Sequence, residues 1–434
     1  ILHISDLHYD PLYVSTQTCA SFCRTAKQVA TSFVCGAKNT APAKVAATYG
    51  RRGCDASKEL IDSAIAAMVA ANPNPLVVII TGDIAAHDLC GNSSVGFGQC
   101  VSEVGQDRAT QQAAMQYVAT ALRAAYPTTP ILNLLGNNDT PMHYVTPLGP
   151  NGAPFLEAWE DTWGPGVRCD GCGLTDYEAN MTTFADGGFY VARRGGVRFL
   201  ILNTLLVYFR LPTYDLTPWG GMDAQNAAAA AQIAWLKDQL AAAAAANETV
   251  VLASHVAPGV DPFDNDDNLL SAGQTELFEA LLPHAGIVSA FLAGHYHTDL
   301  FTMMRLAGAA DPSPASTIPV LAMSSVTPVY QGNPSFRSYQ LTGGRLSDFT
   351  QWWLDLPAAN AGRPQWAPYY SFNAEYGTEL ADNAYLLHLS DSFITNSTLY
   401  RRFVTNRLTQ FAPFQVRHAC LTMSSTSTEV AACM

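Results

Sequence analysis

Short, nearly continuous apolar runs recur along the chain at 1–4, 76–81, 131–135, 189–192, 197–203, 250–253, 287–293 and 318–323. Each is stopped by polar or glycine-containing residues. Their length and β-branched content predict buried strands, because a strand covered on both faces has no reason to alternate. Between several of them apolar residues return at helical spacing, predicting helices over 57–71, 109–125, 223–246 and 274–282. The alanine-rich stretch 227–246 keeps Ile233, Trp235, Leu236 and Leu240 as an apolar stripe and reads as a surface helix. Strand–helix alternation of this kind predicts an α/β core, here spanning residues 1–347. The segment 348–434 changes character: Trp352, Trp353, Trp366, Tyr369, Tyr370 and Tyr385 crowd it, and a helical stretch follows. It reads as a mainly helical C-terminal subdomain packed on the core, its aromatic residues serving packing rather than a cleft.

Composition narrows the setting. About half of the 434 residues are hydrophobic (48%), which excludes global disorder. A formal charge of −13 argues against a nucleic-acid-binding surface, and any anionic substrate would need a local positive centre. The ten cysteines are Cys19, Cys23, Cys35, Cys54, Cys90, Cys100, Cys169, Cys172, Cys420 and Cys433, and only Cys169–Cys172 has Cys-x-x-Cys spacing. Five disulfides fit this better than a zinc ribbon. Cys90–Cys100, Cys169–Cys172 and Cys420–Cys433 are local pairs, leaving the first four to pair among themselves. Glycosylation sequons at Asn92, Asn180, Asn247 and Asn396 point the same way, to a secreted protein or one of the lysosomal or vacuolar lumen. The chain opens on a strand at Ile1, so a signal segment is expected to have been removed or to lie outside this sequence. No apolar stretch has the length of a membrane span, so no transmembrane anchor is expected.

The chemistry lies where the strands stop. Five apolar runs end in metal-capable residues: Asp6-Leu7-His8, Gly82-Asp83, Gly136-Asn137-Asn138-Asp139, Ser254-His255 and Gly294-His295-Tyr296-His297. In α/β sheets ligands gather beyond the carboxyl ends of strands, so five such ends would build one shared site. Each piece alone is common; the order and context are not. Taken together they resemble the calcineurin-like metallophosphoesterases, with the motif series D-x-H, G-D, G-N-H-D/E, H and G-H-x-H. Within that superfamily the chain is most similar to the acid sphingomyelinase-like phosphodiesterases. The likeness extends through Ser5–Tyr13, Gly82–Asp88, Gly187-Gly188-Phe189-Tyr190, Leu202-Asn203-Thr204 and Asn333–Arg337.

That resemblance implies a sandwich of two mixed β-sheets flanked by helices, and two divalent metal ions, with zinc expected. One ion would be held by Asp6, His8, Asp83 and His297, the other by Asp83, Asn137, His255 and His295, with Asp83 bridging. The implied reaction is hydrolysis of a phosphodiester or phosphoanhydride by metal-activated hydroxide, on a small phosphate-ester or polyphosphate substrate. His87 matches a family histidine expected to assist the leaving group. Asn138 departs from the pattern, replacing a histidine that can deliver a proton. His143 or His87 could cover that role, or the substrate could expel a good leaving group. Gly136-Asn137-Asn138-Asp139 followed by Pro141 and His143 is also similar to vacuolar endopolyphosphatases, although a polyanion groove would have to assemble from Arg51, Arg52, Arg193, Arg194 and Arg198. A secreted glycoprotein that keeps the fold without catalysis is the alternative of another class. His3, His284, His388 and His418 have no ligand spacing and are expected to be structural.

Overall fold

The computed structural model describes residues 1–25, 46–87, 89, 106–263, 266–305, 313–377, 379–407 and 416–433. Thirteen strands among them form two sheets. They are β1 (Leu2–Ile4), β2 (Val78–Ile80), β3 (Ile131–Asn133), β4 (Tyr177–Asn180), β5 (Tyr190–Arg194), β6 (Val197–Ile201), β7 (Thr249–Ala253), β8 (Val288–Ala293), β9 (Leu300–Met304), β10 (Ile318–Ala322), β11 (Ser335–Thr342), β12 (Arg345–Leu354) and β13 (Trp366–Ser371). The first sheet runs β13-β12-β11-β1-β2-β3 and the second β4-β5-β6-β7-β8-β10-β9. Both are mixed. β1, β2 and β3 are parallel, with Leu2 opposite Val78 and Val78 opposite Ile131. β6, β7, β8 and β10 are parallel too, with antiparallel strands closing each end of that sheet.

The central strands are buried along their whole length, as the continuous apolar runs require. One continuous apolar core contains residues of both sheets, including Ile4, Ile80, Leu252 and Phe291. The helices are α1 (Lys58–Ala71), α2 (Gln106–Ala125), α3 (Gly149–Val167), α4 (Phe184–Gly187), α5 (Gly221–Ala245), α6 (Ser271–Leu281), α7 (Leu356–Asn360), α8 (Phe372–Tyr376), α9 (Asn383–Thr395), α10 (Ser397–Arg407), α11 (Val416–Met423) and α12 (Ser427–Cys433). Ser57 opens α1 by accepting the Leu60 N–H, the usual role of a serine at that position.

Three features differ from the sequence pattern. Glycine and proline fill helix α3 and hide its periodicity, yet Pro150 lies in its first turn, where no N–H is required. Phe155, Leu156, Trp159, Trp163 and Val167 then give it a buried face at helical spacing. In α5 the buried stripe includes Gln225 and Gln232 as well as Leu236 and Leu240; Gln232 exchanges hydrogen bonds with the backbone of Asn203. The expected boundary at 347/348 falls inside β12, which pairs on both sides within the first sheet. From Phe372 onward the described elements are helices. The aromatic cluster packs as expected: Trp352 and Trp366 lie against Phe336 with ring centroids 5.8 and 5.4 Å away, although Tyr385 is exposed. No helix among the described residues is long and apolar enough to cross a membrane.

Candidate metal centre

The residues after β1, β2, β3, β7 and β8 converge on one side of the sandwich. To aim side chains there, the backbone turns sharply where each strand stops. Asp6, His8, Asp83, His295 and His297 all take left-handed φ angles, between 42° and 73°. Asp and His tolerate that region better than branched residues do, though each such position still costs about 1–3 kcal/mol. The glycines of these motifs let the loops touch. A Cβ on Gly136 would lie 2.1 Å from the Asp83 nitrogen, and one on Gly294 would lie 2.0 Å from Ser5 Oγ.

Asp6, His8 and His297 form one group of donor atoms within 4.8 Å of one another, and Asp83, His255 and His295 form a second. In the first, His8 Nδ1–H donates to the Ala85 carbonyl (3.1 Å), leaving Nε2 as a bare lone pair. That atom faces His297 Nε2 at 3.2 Å, Asp83 Oδ2 at 3.4 Å and Asp6 Oδ1 at 3.9 Å. In the second, His255 Nδ1–H donates to the Thr81 carbonyl (2.7 Å), and Nε2 points at Asn137 Oδ1 (2.7 Å) and Asp83 Oδ2 (3.4 Å). Around His8 acceptor faces acceptor at these distances, which calls for a cation between them, while His255 meets Asn137 Oδ1 and Asp83 Oδ2 with a proton on Nε2 in the metal-free protein.

The protonation preferences agree. Burial lowers His8 to about 4 and takes His297 and His295 well below the ordinary imidazole value. Burial pushes Asp6 up to about 7. Burial opposes the charge on His255, but Asp83 and Asp6 outweigh it and raise the imidazole to about 9. Asp83 itself is held well below the carboxylate range, burial being overcome by His255, His8 and the Asn138 N–H. The cluster thus has more buried lone pairs than protons to satisfy them. Imidazole nitrogens with carboxylate and amide oxygens suit zinc, with harder divalent ions as competitors.

Around the donors sits a framework of hydrogen bonds. Asn137 Nδ2 donates to His143 Nε2 (2.6 Å), which turns Oδ1 toward His255. Burial lowers His143 to about 3, consistent with a neutral ring that accepts at Nε2. Asn138 gives its N–H to Asp83 Oδ1 (2.8 Å) and its side-chain Nδ2 to Asp83 Oδ2 (2.7 Å). The Asp139 carboxylate accepts the N–H groups of Asp83, Ile84, Ala85 and Gly136 at 2.8–3.0 Å, tying the loops after β2 and β3 together.

His87 stacks on His8 with centroids 4.1 Å apart and 10° between planes. Asp55 grips it twice, accepting its backbone N–H at 2.7 Å and its ring Nδ1–H at 3.0 Å. The His87 carbonyl accepts from Arg24 Nη2 (2.7 Å), and buried Arg24 is paired with Asp10 at 2.7 Å. Asp55 ends no strand, and its one signal in the sequence is its place next to Cys54. Two aromatic groups stand beside the donors: Tyr144, stacked on Tyr208 and 3.4 Å from His295 Nε2 through its hydroxyl, and Tyr330, edge-on to His297.

The remaining expectations sort as follows. Cys23–Cys54, Cys169–Cys172 and Cys420–Cys433 are disulfides, and Cys19 is disulfide-bonded as well. Cys35, Cys90, Cys100 and Asn92 lie outside the described residues, while Asn180, Asn247 and Asn396 are exposed. The five arginines do not gather at the site. Arg193, Arg194 and Arg198 sit on β5 and β6, where they pair with Glu178, Asp176 and Glu248. Arg52 donates to Asn333 and Arg51 to the Ser15 carbonyl.

Two sheets, five strand ends and a paired His/Asp donor set define a metallophosphoesterase. The calcineurin-like phosphoesterase profile matches residues 1–299, and the chain belongs to that family. It is similar to sphingomyelinase phosphodiesterase D of Dictyostelium discoideum, 26% identical over 89% of this chain and 81% of that protein. It is 26% identical to human acid sphingomyelinase-like phosphodiesterase 3b over 94% of this chain and 83% of that one. The mouse cyclic GMP-AMP phosphodiesterase SMPDL3A is 24% identical over 91% of this chain and 81% of its own length. The fold and family identify a hydrolase of phosphate esters related to phosphodiesterases.

Proposed function

We propose that this protein is a two-metal phosphodiesterase acting on small, soluble phosphodiesters, with zinc as the metal. The observation that carries this is Asp83 Oδ2, which stands 3.4 Å from both His8 Nε2 and His255 Nε2 between two groups of lone pairs. Asp6, His8, Asp83 and His297 would hold one ion; Asp83, Asn137, His255 and His295 would hold the other. When bound, the ions supply positive charge for the phosphate and lower the pKa of water from 15.7 toward about 7. The chain's own residues do the rest. His143 keeps the Asn137 oxygen turned inward. Asp55 holds the His87 ring through its Nδ1–H, so a proton for the departing alkoxide would be carried at Nε2. Asn138 contributes donors to Asp83 and no transferable proton.

Small diesters fit better than polyphosphate, because the arginines a polyanion would need are engaged in ion pairs and hydrogen bonds elsewhere. The disulfides and exposed sequon asparagines support a secreted or lumenal glycoprotein, testable by a mobility shift after endoglycosidase treatment. The central test is hydrolysis of bis-p-nitrophenyl phosphate, a cyclic dinucleotide, ATP and long-chain polyphosphate by zinc-loaded protein at pH 5 and 7. Turnover that is abolished by Asp83→Ala and fastest on a diester is expected. A protein with no turnover and no bound metal would be a non-catalytic glycoprotein, and preference for polyphosphate would make it an endopolyphosphatase.

A further inference from the structure

Behind the first donor group runs a chain of side chains with no part in the roles above. Asp6 Oδ1 faces His297 Nε2 at 3.3 Å, whereas Oδ2 is turned back into the protein. There it takes the Ser5 hydroxyl at 2.6 Å and the His295 N–H at 2.9 Å. Thr81 Oγ1 donates to Ser5 Oγ at 2.6 Å, and His3 Nε2 lies 2.9 Å from Thr81 Oγ1. All four side chains are fully buried.

The chain has one consistent direction when Asp6 is the ionised carboxylate that a ligand must be. A hydroxyl carries a single proton. Ser5 gives its proton to Asp6, so it must accept from Thr81. Thr81 then has no proton left for His3 and must accept from the His3 Nε2–H. His3 is thereby fixed as one tautomer with its Nδ1 lone pair unpaired, and that buried nitrogen has no hydrogen-bond partner. An orphaned acceptor in the space between two sheets is costly, and a phenylalanine would avoid the cost. Gly294 seals the hydroxyls from water, since a Cβ there would strike Ser5 Oγ, Asp6 Oδ2 and Thr81 Oγ1 at 2.0, 2.7 and 3.0 Å.

We propose that His3, Thr81 and Ser5 form a positioning chain that fixes which Asp6 oxygen is presented to the first metal site. The inference rests on the two-metal reading and gives a role to a histidine that the sequence pattern leaves to structure. Outer-shell partners of metal ligands typically change affinity about 10–100-fold when removed.

The test is zinc affinity of the full chain, measured by competition with a chromophoric chelator, alongside melting of the metal-free protein. Thr81→Val should weaken one of two zinc equivalents about 10–100-fold, leaving the other and the metal-free melt near wild type. Thr81→Ser should restore it. His3→Phe should lose part of the affinity and His3→Gln, which keeps a donor, should regain it. Should Thr81→Val fold poorly, Ser5→Ala removes the same link. Wild-type affinity for both equivalents in Ser5→Ala and Thr81→Val overturns the chain, as does a drop in melting temperature alone. Asp6→Asn separates the two ideas. If it weakens zinc while the chain variants do not, only the chain is wrong; if it too binds as wild type, the metal reading falls with it.

Discussion

His87 lies beyond Asp83 in the segment after β2, and its usefulness depends on how its ring is held. Asp55 secures this by holding the backbone N–H and Nδ1–H together. His87→Gln should therefore lower kcat about 10²–10⁴-fold on a substrate with a poor leaving group, and far less on a p-nitrophenyl ester. Zinc content should stay unchanged. Asp55→Asn keeps the imidazole but loosens its tautomer, so a loss of about 10–100-fold in kcat with little change in KM is expected. Equal losses on good and poor leaving groups would remove His87 from proton transfer. Asn138 gives the converse experiment. Its side chain lies on Asp83 Oδ2, where a histidine would bring a titratable group to the Asp83 carboxylate. Asn138→His should raise turnover of alkyl diesters relative to p-nitrophenyl diesters, measured as the ratio of the two kcat values. An unchanged ratio would mean that His87 already suffices.

At the scale of elements, the parallel strands and the loops that follow them were legible in the sequence because both faces of those strands are buried. Continuous apolar runs followed at once by Asp, Asn or His leave little choice of strand or of where its cargo points. Helix α3 was not legible, since glycine and proline mask a buried face that only packing against β3 and α2 reveals. Asp55 and Arg24 were hidden for another reason: they belong to loops whose geometry is set by a disulfide rather than by a strand. Cys23 precedes Arg24 and Cys54 precedes Asp55, so the Cys23–Cys54 bond brings together the two residues that hold His87. The paired change Cys23→Ser with Cys54→Ser opens a separation of 31 residues. By chain entropy this should cost about 3–4 kcal/mol of stability, and kcat should fall well beyond what unfolding explains. Removing Cys169–Cys172, a sequence separation of 3, should cost about 2 kcal/mol and leave kcat unchanged. Urea unfolding with kcat measured at low denaturant distinguishes the two; equal effects on kcat would detach the disulfide from His87.

Across the whole molecule, the metal centre is where the two sheets meet under strain. Three donor-bearing loops come from the first sheet and two from the second, and five of their residues hold left-handed backbone angles. Burial keeps His8, His295 and His297 from carrying protons, so in the metal-free protein their lone pairs confront one another and the carboxylates with little compensation. Asn138 and His255 serve Asp83, and Ser5 serves Asp6, but His8 Nε2 and His297 Nε2 still face each other at 3.2 Å, and an ion placed between them would pair both. The centre should therefore act as a clamp as well as a catalyst. Any ligand binding only the folded state at about 1,000 times its Kd adds about 4 kcal/mol of stability, and the two proposed zinc sites would act together through Asp83. Stripping the metals with a chelator should lower the melting temperature clearly, and stoichiometric zinc should restore it. Asp83→Ala, which takes away the atom shared by both groups, should abolish the zinc-dependent rise. A change confined to an outer region, such as Cys169→Ser with Cys172→Ser, should leave that rise intact while shifting the whole curve down. Were the melting curve the same with chelator and with zinc, the two sheets would not be joined through a metal centre, and the left-handed ligand residues would need another explanation.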